Sequence, residues 1–184
     1  MNRRISIIGC SGSGKTTLAR RAAEILGLPR LELDGVFHQP DWTPLPDEAF
    51  RAHVETFLTE HDAWIIDGNY DQVQDLVLKD ATTVIWLHPP RWRAMWQVGL
   101  RTFWRGITRK ELWNGNREAF SNFHSFKPER SMLAWTWTTH PKAVKRYSGL
   151  FESKAYDHLD VHCFTRRSEA DHWLAELSSG DHDE

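Results

Sequence analysis

Short apolar runs alternate along this chain with stretches of helical period, the signature of strand-helix-strand units that build a parallel sheet. Arg4 to Ile8 reads as the first strand. Leu18, Ala22, Ile25 and Leu26 then recur on one helical face until Gly27 and Pro29 stop the pattern. Leu31 to Leu33 reads as a second strand, and Pro40, Pro44 and Pro46 punctuate a loop without regular structure. From Asp47, the positions Phe50, Val54, Phe57 and Leu58 keep helical spacing. Trp64-Ile65-Ile66 and Thr83 to Leu87 are continuous apolar runs, as expected of strands buried on both faces. Val161 to Phe164 reads as the last strand, and Ser168 with Asp171 resembles a capping box opening a helix through Leu177. The pattern predicts an α/β domain over residues 1–178, followed by a polar tail at 179–184. A stretch from about residue 91 to about 147 is too long for a crossover and reads as a helical insertion or lid.

The chain has 184 residues, 40% hydrophobic and 26% charged, which fits one globular domain and excludes disorder. Its net charge of −2 conceals a steep asymmetry. Residues 91 to 146 hold twelve Lys and Arg against three acids, a net of +9, leaving eleven against twenty-two elsewhere, a net of −11. Seven of the ten tryptophans lie between positions 86 and 137. The two cysteines, Cys10 and Cys163, build neither a disulfide framework nor a zinc site, which fits a reducing cytoplasm. No apolar window has the length of a membrane span and no signal peptide is visible, so a soluble cytoplasmic protein with no membrane partner is expected.

The run Gly9-Cys10-Ser11-Gly12-Ser13-Gly14-Lys15-Thr16 matches G-x-x-x-x-G-K-[ST] between a predicted strand and a predicted helix. Glycines let such a turn aim successive N–H groups inward, and the helix N-terminus adds partial positive charge, so the turn cradles phosphate. Gly9, Ser11 to Gly14, Lys15, Thr16 and Thr17 are therefore the predicted ATP-binding residues. Lys15 would reach the β- and γ-phosphates and the Thr16 hydroxyl would hold Mg²⁺. Cys10 reads as a small filler.

Ligands of open parallel sheets collect beyond the carboxyl ends of the strands. Three acids stand there: Glu32, Asp34 and Asp67. Glu32 and Asp34, two apart, are expected to share one face of the strand end. Glu32 and Asp67 are candidate magnesium ligands and Asp34 a candidate catalytic acid.

With these residues in place, the chain resembles the nucleoside-monophosphate-kinase-like and shikimate-kinase-like P-loop phosphotransferases. Within that group it is similar to proteins labelled adenylate-kinase-like or DNA topology modulation proteins. The resemblance rests on Gly9 to Thr17, Leu31 to Asp34, Trp64 to Tyr70 and Glu111 to Glu118. It implies a P-loop three-layer sandwich with a five-stranded parallel sheet flanked by helices, a mobile lid over ATP, and an acceptor site near the second and third strands. Adenylate kinases follow the third strand with Asp-Gly-Phe-Pro-Arg; here the run is Asp67-Gly68-Asn69-Tyr70-Asp71, without the arginine that grips an acceptor phosphate. Glu32-Leu33-Asp34 resembles the Asp-x-Asp of shikimate kinases, whose first acid serves the metal and whose second contacts the acceptor hydroxyl.

Arg101, Arg105 and Arg109 recur every four residues and form one stripe on a helix, suited to an anionic ligand and to the charge that develops on a moving phosphoryl group. Arg117, after Asn114-Gly115, is a further catalytic candidate. The spacing of Trp92 and Trp96 on one helical face, and the burial expected for Trp64 and Trp86, favour packing over base stacking or a membrane belt. His38, four residues after Asp34, reads as structural. The sequence thus predicts an ATP- and Mg²⁺-dependent kinase acting on a small-molecule or nucleotide acceptor. The alternative is a nucleotide-gated nucleic-acid binder that grips phosphates and bases with the basic, tryptophan-rich segment.

Overall fold

The computed structural model describes residues 3–108, 111–116, 132–152 and 154–180. Five strands, β1 (Arg4–Gly9), β2 (Arg30–Glu32), β3 (Trp64–Asp67), β4 (Thr83–Leu87) and β5 (Asp160–Phe164), form one parallel sheet in the order β2-β3-β1-β4-β5. Among the described residues, seven α-helices accompany them: α1 (Lys15–Leu26), α2 (Leu33–Phe37), α3 (Asp47–Glu60), α4 (Gln74–Asp80), α5 (Arg91–Thr108), α6 (Met132–Phe151) and α7 (Arg167–Gly180). Single 3-10 turns lie at Pro40–Trp42, Trp113–Gly115 and Lys154–Tyr156. Among the described residues no helix is long and apolar enough to cross a membrane.

Strand alternation divides the core between the two sheet faces. Ile5, Ile7, Ile65 and Ile85 pack with Leu18, Ala19 and Ala22 of α1 and with Trp173 and Leu174 of α7. Ile8, Trp64, Ile66 and Val84 pack with Phe50 and Val54 of α3, Val77 and Leu78 of α4, and Tyr147 of α6. Because β1 is central, with β3 on one side and β4 on the other, the loop that follows it opens where the strand order reverses, the place where such sheets bind ligands.

Three predicted elements differ from the structure. The second strand ends at Glu32 and the chain turns at once into α2, because Leu33 is buried against Gly68 instead of continuing the pleat. Glu32 and Asp34 therefore do not share a strand face. The proline-punctuated loop carries α2, a 3-10 turn at Pro40–Trp42 and an antiparallel bridge between His38 and Pro44. At α7 the capping carboxylate is Glu169, which accepts from the backbone N–H of Thr165 at 2.7 Å and of Arg166 at 3.0 Å; the Ser168–Asp171 pairing is not used. Asp171 instead pairs with Arg21 of α1 at 2.5 Å.

Candidate active site

The turn after β1 is held in shape by contacts that only glycine permits. Gly9 and Gly12 have φ of +159° and +77°. A Cβ on Gly12 would stand 2.6 Å from Val98 Cγ2 and 2.8 Å from the Ala94 carbonyl, so α5 lies directly on the loop. The Ser13 N–H donates to the Cys10 carbonyl at 3.1 Å, tightening the turn. From beneath, Asn69 clamps Gly9 twice: its Oδ1 accepts from the Gly9 N–H at 3.1 Å and its Nδ2 donates to the Gly9 carbonyl at 2.6 Å. Burial pushes the Cys10 thiol up to about 11, which keeps it protonated and fits a filler role.

Beside the loop, register pairs Glu32 with Asp67 across β2 and β3. Arg30 forks between them, donating to Asp67 at 2.9 Å and to Glu32 at 3.3 Å. Asp67 is 1% exposed, and its Oδ2 is buried without a hydrogen-bond partner. Burial first, and then the neighbouring Glu32 charge, push its carboxyl up to about 6; the Thr16 hydroxyl, Arg30 and Lys15 act in the opposite sense. Ser13 Oγ is likewise buried without a partner. Among the described residues there is no group of three His, Cys, Asp or Glu side chains able to hold a metal alone. A hydroxyl and one or two carboxylate oxygens beside a phosphate cradle are the sparse oxygen donor set that suits magnesium, which keeps waters and phosphates as its remaining ligands.

Asp34 sits in the first turn of α2, where it accepts a hydrogen bond of 2.7 Å from the Tyr70 hydroxyl. The same phenol oxygen lies 3.3 Å from His38 Nε2. Since its one proton is aimed at Asp34, it can only accept from His38, which fixes the Nε2–H tautomer. Burial lowers the His38 pKa against the pull of Asp34, so the ring is neutral near pH 7. Tyr70 itself packs on Phe37 and Phe50, and burial holds its phenol protonated.

Of the arginine stripe, Arg101 reaches the loop, donating from Nη2 to the Ser11 hydroxyl at 3.0 Å. Arg105 lies half-buried one turn further along α5. Arg109 and Arg117 lie outside the described residues. A cavity of about 350 Å³ opens on the other side of the loop, between the start of α5 and the β5–α7 corner, lined by Gly14, Thr17, Arg93, Gln97, Arg166 and Arg167. Its volume lies in the range of small-molecule sites. The last four of these residues were missed in the sequence, as were Arg30, Asn69 and Tyr70. Asn69 and Tyr70 had a local signal, since they follow an acid-terminated strand.

The segment around α2 carries a further structure. Asn114 Nδ2 donates to the carbonyls of Gly35 and His38 at 3.1 and 2.6 Å. Buried Asn116 donates to the Gln39 carbonyl at 2.8 Å and accepts from the Trp42 N–H at 2.9 Å. The Trp113 ring stacks on His38 with centroids 6.2 Å apart. The tryptophans divide: Trp64 and Trp173 are buried and Trp86 is half-buried against Tyr147 and Phe151, but Trp92, Trp96, Trp104 and Trp137 are exposed. Packing is thus the wrong reading for Trp92 and Trp96. The face of α5 that packs on the loop is the opposite one, of Ala94 and Val98.

No family model matches the chain. A stretch of 91 residues is 27% identical to shikimate kinase 2 of Oryza sativa subsp. japonica, covering half of this chain and 29% of that protein. Among solved structures, a gluconokinase from Sinorhizobium meliloti 1021 aligns over 97% of this chain and 94% of its own, with a TM-score of 0.54 and 18% identity. Shikimate kinase from Acinetobacter baumannii, in complex with shikimate, aligns over 100% of this chain and 97% of its own, with a TM-score of 0.54 and 18% identity. The chain has the fold of the P-loop kinases: a five-stranded parallel sheet flanked by helices.

Proposed function

We propose that this protein is an ATP- and Mg²⁺-dependent phosphotransferase that acts on a hydroxyl of a small molecule. The observation that carries this reading is the partnerless Asp67 Oδ2, buried beside the Thr16 hydroxyl at the foot of the glycine turn. A buried carboxylate oxygen without a hydrogen-bond donor costs free energy unless a ligand satisfies it.

Bound magnesium-ATP supplies the phosphoryl group to be transferred. The N–H groups of Gly12 to Thr16 and the Lys15 ammonium hold its phosphates, and Thr16 and Asp67 hold the metal, with Glu32 behind them. Arg101, already at Ser11, places a guanidinium where charge develops on the moving group. The Arg93–Gln97–Arg166 cavity takes the rest of the nucleotide. Asp34, oriented by Tyr70, accepts the proton of the acceptor hydroxyl as its oxygen attacks phosphorus. A carboxylate at that position favours an uncharged hydroxyl over a phosphate acceptor. The nucleic-acid alternative gains less support: Arg101 is committed to the loop and Arg93 lines the cavity, so neither arginine is displayed beside the exposed rings.

A panel of sugars, polyols, cyclitols, nucleosides and nucleotides, assayed for ADP release with magnesium, tests the reading. Release stimulated by a neutral hydroxyl compound supports it. Stimulation by nucleoside monophosphates alone contradicts the acceptor class, and steep salt-dependent binding of single-stranded DNA without ADP release contradicts the enzyme class.

A further inference from the structure

We propose that the outer face of α5 is the contact surface between two copies of this chain. Helix α5 has two apolar faces. Ala94 and Val98 press on the phosphate loop, whereas Trp92, Trp96, Leu100, Phe103, Trp104 and Ile107 recur at intervals of three and four on the opposite side. Trp92 is 70% exposed, Trp96 66%, Trp104 60% and Ile107 54%. Single exposed hydrophobic residues are ordinary; six in one stripe over four helical turns are not.

The occupant follows from area, charge and symmetry. The stripe exposes roughly 700 Å² of apolar surface, taking about 150–250 Å² for each fully exposed aromatic ring, and a standard interface needs about 800 Å² per partner. The stripe itself offers an anionic membrane or a nucleic acid little charge. At 100° per residue the stripe spans about 120°, and the one arginine in that arc, Arg93, is half-buried and lines the cavity beside Gly14 and Arg166, while Arg101 and Arg105 lie beyond its edge on the side of the loop. The stripe is self-complementary about Leu100: an antiparallel two-fold pairing sets Trp96 of each copy against Trp104 of the other, and Trp92 against the far end of the partner helix. Arg93, at the stripe's edge and lining the cavity, stands opposite Ile107 of the other copy and meets no like charge across the axis. Because the two faces of α5 are opposed, such a pairing braces the helix that carries Arg101 without covering the loop.

Light scattering coupled to size exclusion, on the full chain from about 1 to about 100 μM, spans the weak end of interfaces this size. A species of twice 21.5 kDa is expected, and Trp96→Glu with Trp104→Glu should return it to one chain. Nucleotide affinity should stay within twofold and the melting temperature should not fall relative to the dissociated wild type, since both side chains are exposed. A wild-type monomer throughout the range, or a dimer that survives the double substitution, overturns the proposal. A monomer that pellets with phosphatidylserine vesicles, or that shifts single-stranded DNA through the same two tryptophans, overturns it too. These outcomes are independent of whether ADP is released.

Discussion

The guanidinium of Arg101 donates to the hydroxyl of Ser11 at 3.0 Å, joining α5 to the glycine-rich loop ninety residues earlier in the chain. This contact places a cation against the loop. Arg101→Ala should lower kcat by on the order of a hundredfold to a thousandfold, the usual loss for a transition-state charge donor. Its KM for ATP should change much less, and steady-state kinetics against ATP at saturating acceptor separate the two effects.

Asp67 gives a pH dependence of defined sign. Its folded-state pKa of about 6 is above the ordinary 3.8, so its protonated form is favoured by folding and its contribution to stability is lost as pH rises from 4 through 6. Wild type should lose stability relative to Asp67→Asn over that interval, by up to about 3 kcal/mol, with no further change above pH 7. Magnesium needs the carboxylate, so magnesium-nucleotide affinity in the wild type should tighten over the same interval and be weak at all pH values in the variant. Thermal melts and calorimetry at pH 5 and pH 8 read both signs.

Tyr70→Phe removes one hydrogen bond to a carboxylate, worth about 1.5–3 kcal/mol, from a ring that otherwise keeps its packing on Phe37 and Phe50. Acceptor turnover should fall about tenfold to a hundredfold while ATP binding is unchanged. NMR should show His38 as the Nε2–H tautomer in the wild type and without that fixed partner in this variant.

Gly12→Ala places a methyl group 2.6 Å from Val98 and 2.8 Å from a backbone carbonyl of α5, at a φ of +77°. A loss of about 2–4 kcal/mol in stability is expected from strain and overpacking together. Gly14→Ala, whose Cβ would meet nothing within 4 Å, should cost only the backbone strain of φ +93°. Parallel thermal melts of the two variants distinguish contact from conformation.

The parts of the fold legible in sequence are those whose signal is local. The glycines between an apolar run and a helical run located the turn from β1 into α1, and short continuous apolar runs located β1, β3 and β4 with Asp67 at a strand end. Contacts between distant segments left no such trace. Nothing near Asn69 announces that it clamps Gly9 sixty residues earlier, and nothing near Asn116 announces its bonds to Gln39 and Trp42. The turn from β2 into α2 was hidden because Leu33 is apolar in either geometry; its burial against Gly68 decides. Helical period identified the stripe of Trp92 and Trp96, but period alone cannot say which of two apolar faces a domain covers.

The loop from Gly9 to Thr16 is proposed to bind magnesium-ATP for transfer. Calorimetry of ATP binding in magnesium, wild type against Lys15→Ala, tests it most directly. One site per chain is expected in the wild type, and a loss of at least tenfold in affinity, about 1.4 kcal/mol, in the variant. No binding by the wild type, or equal binding by both, would contradict it.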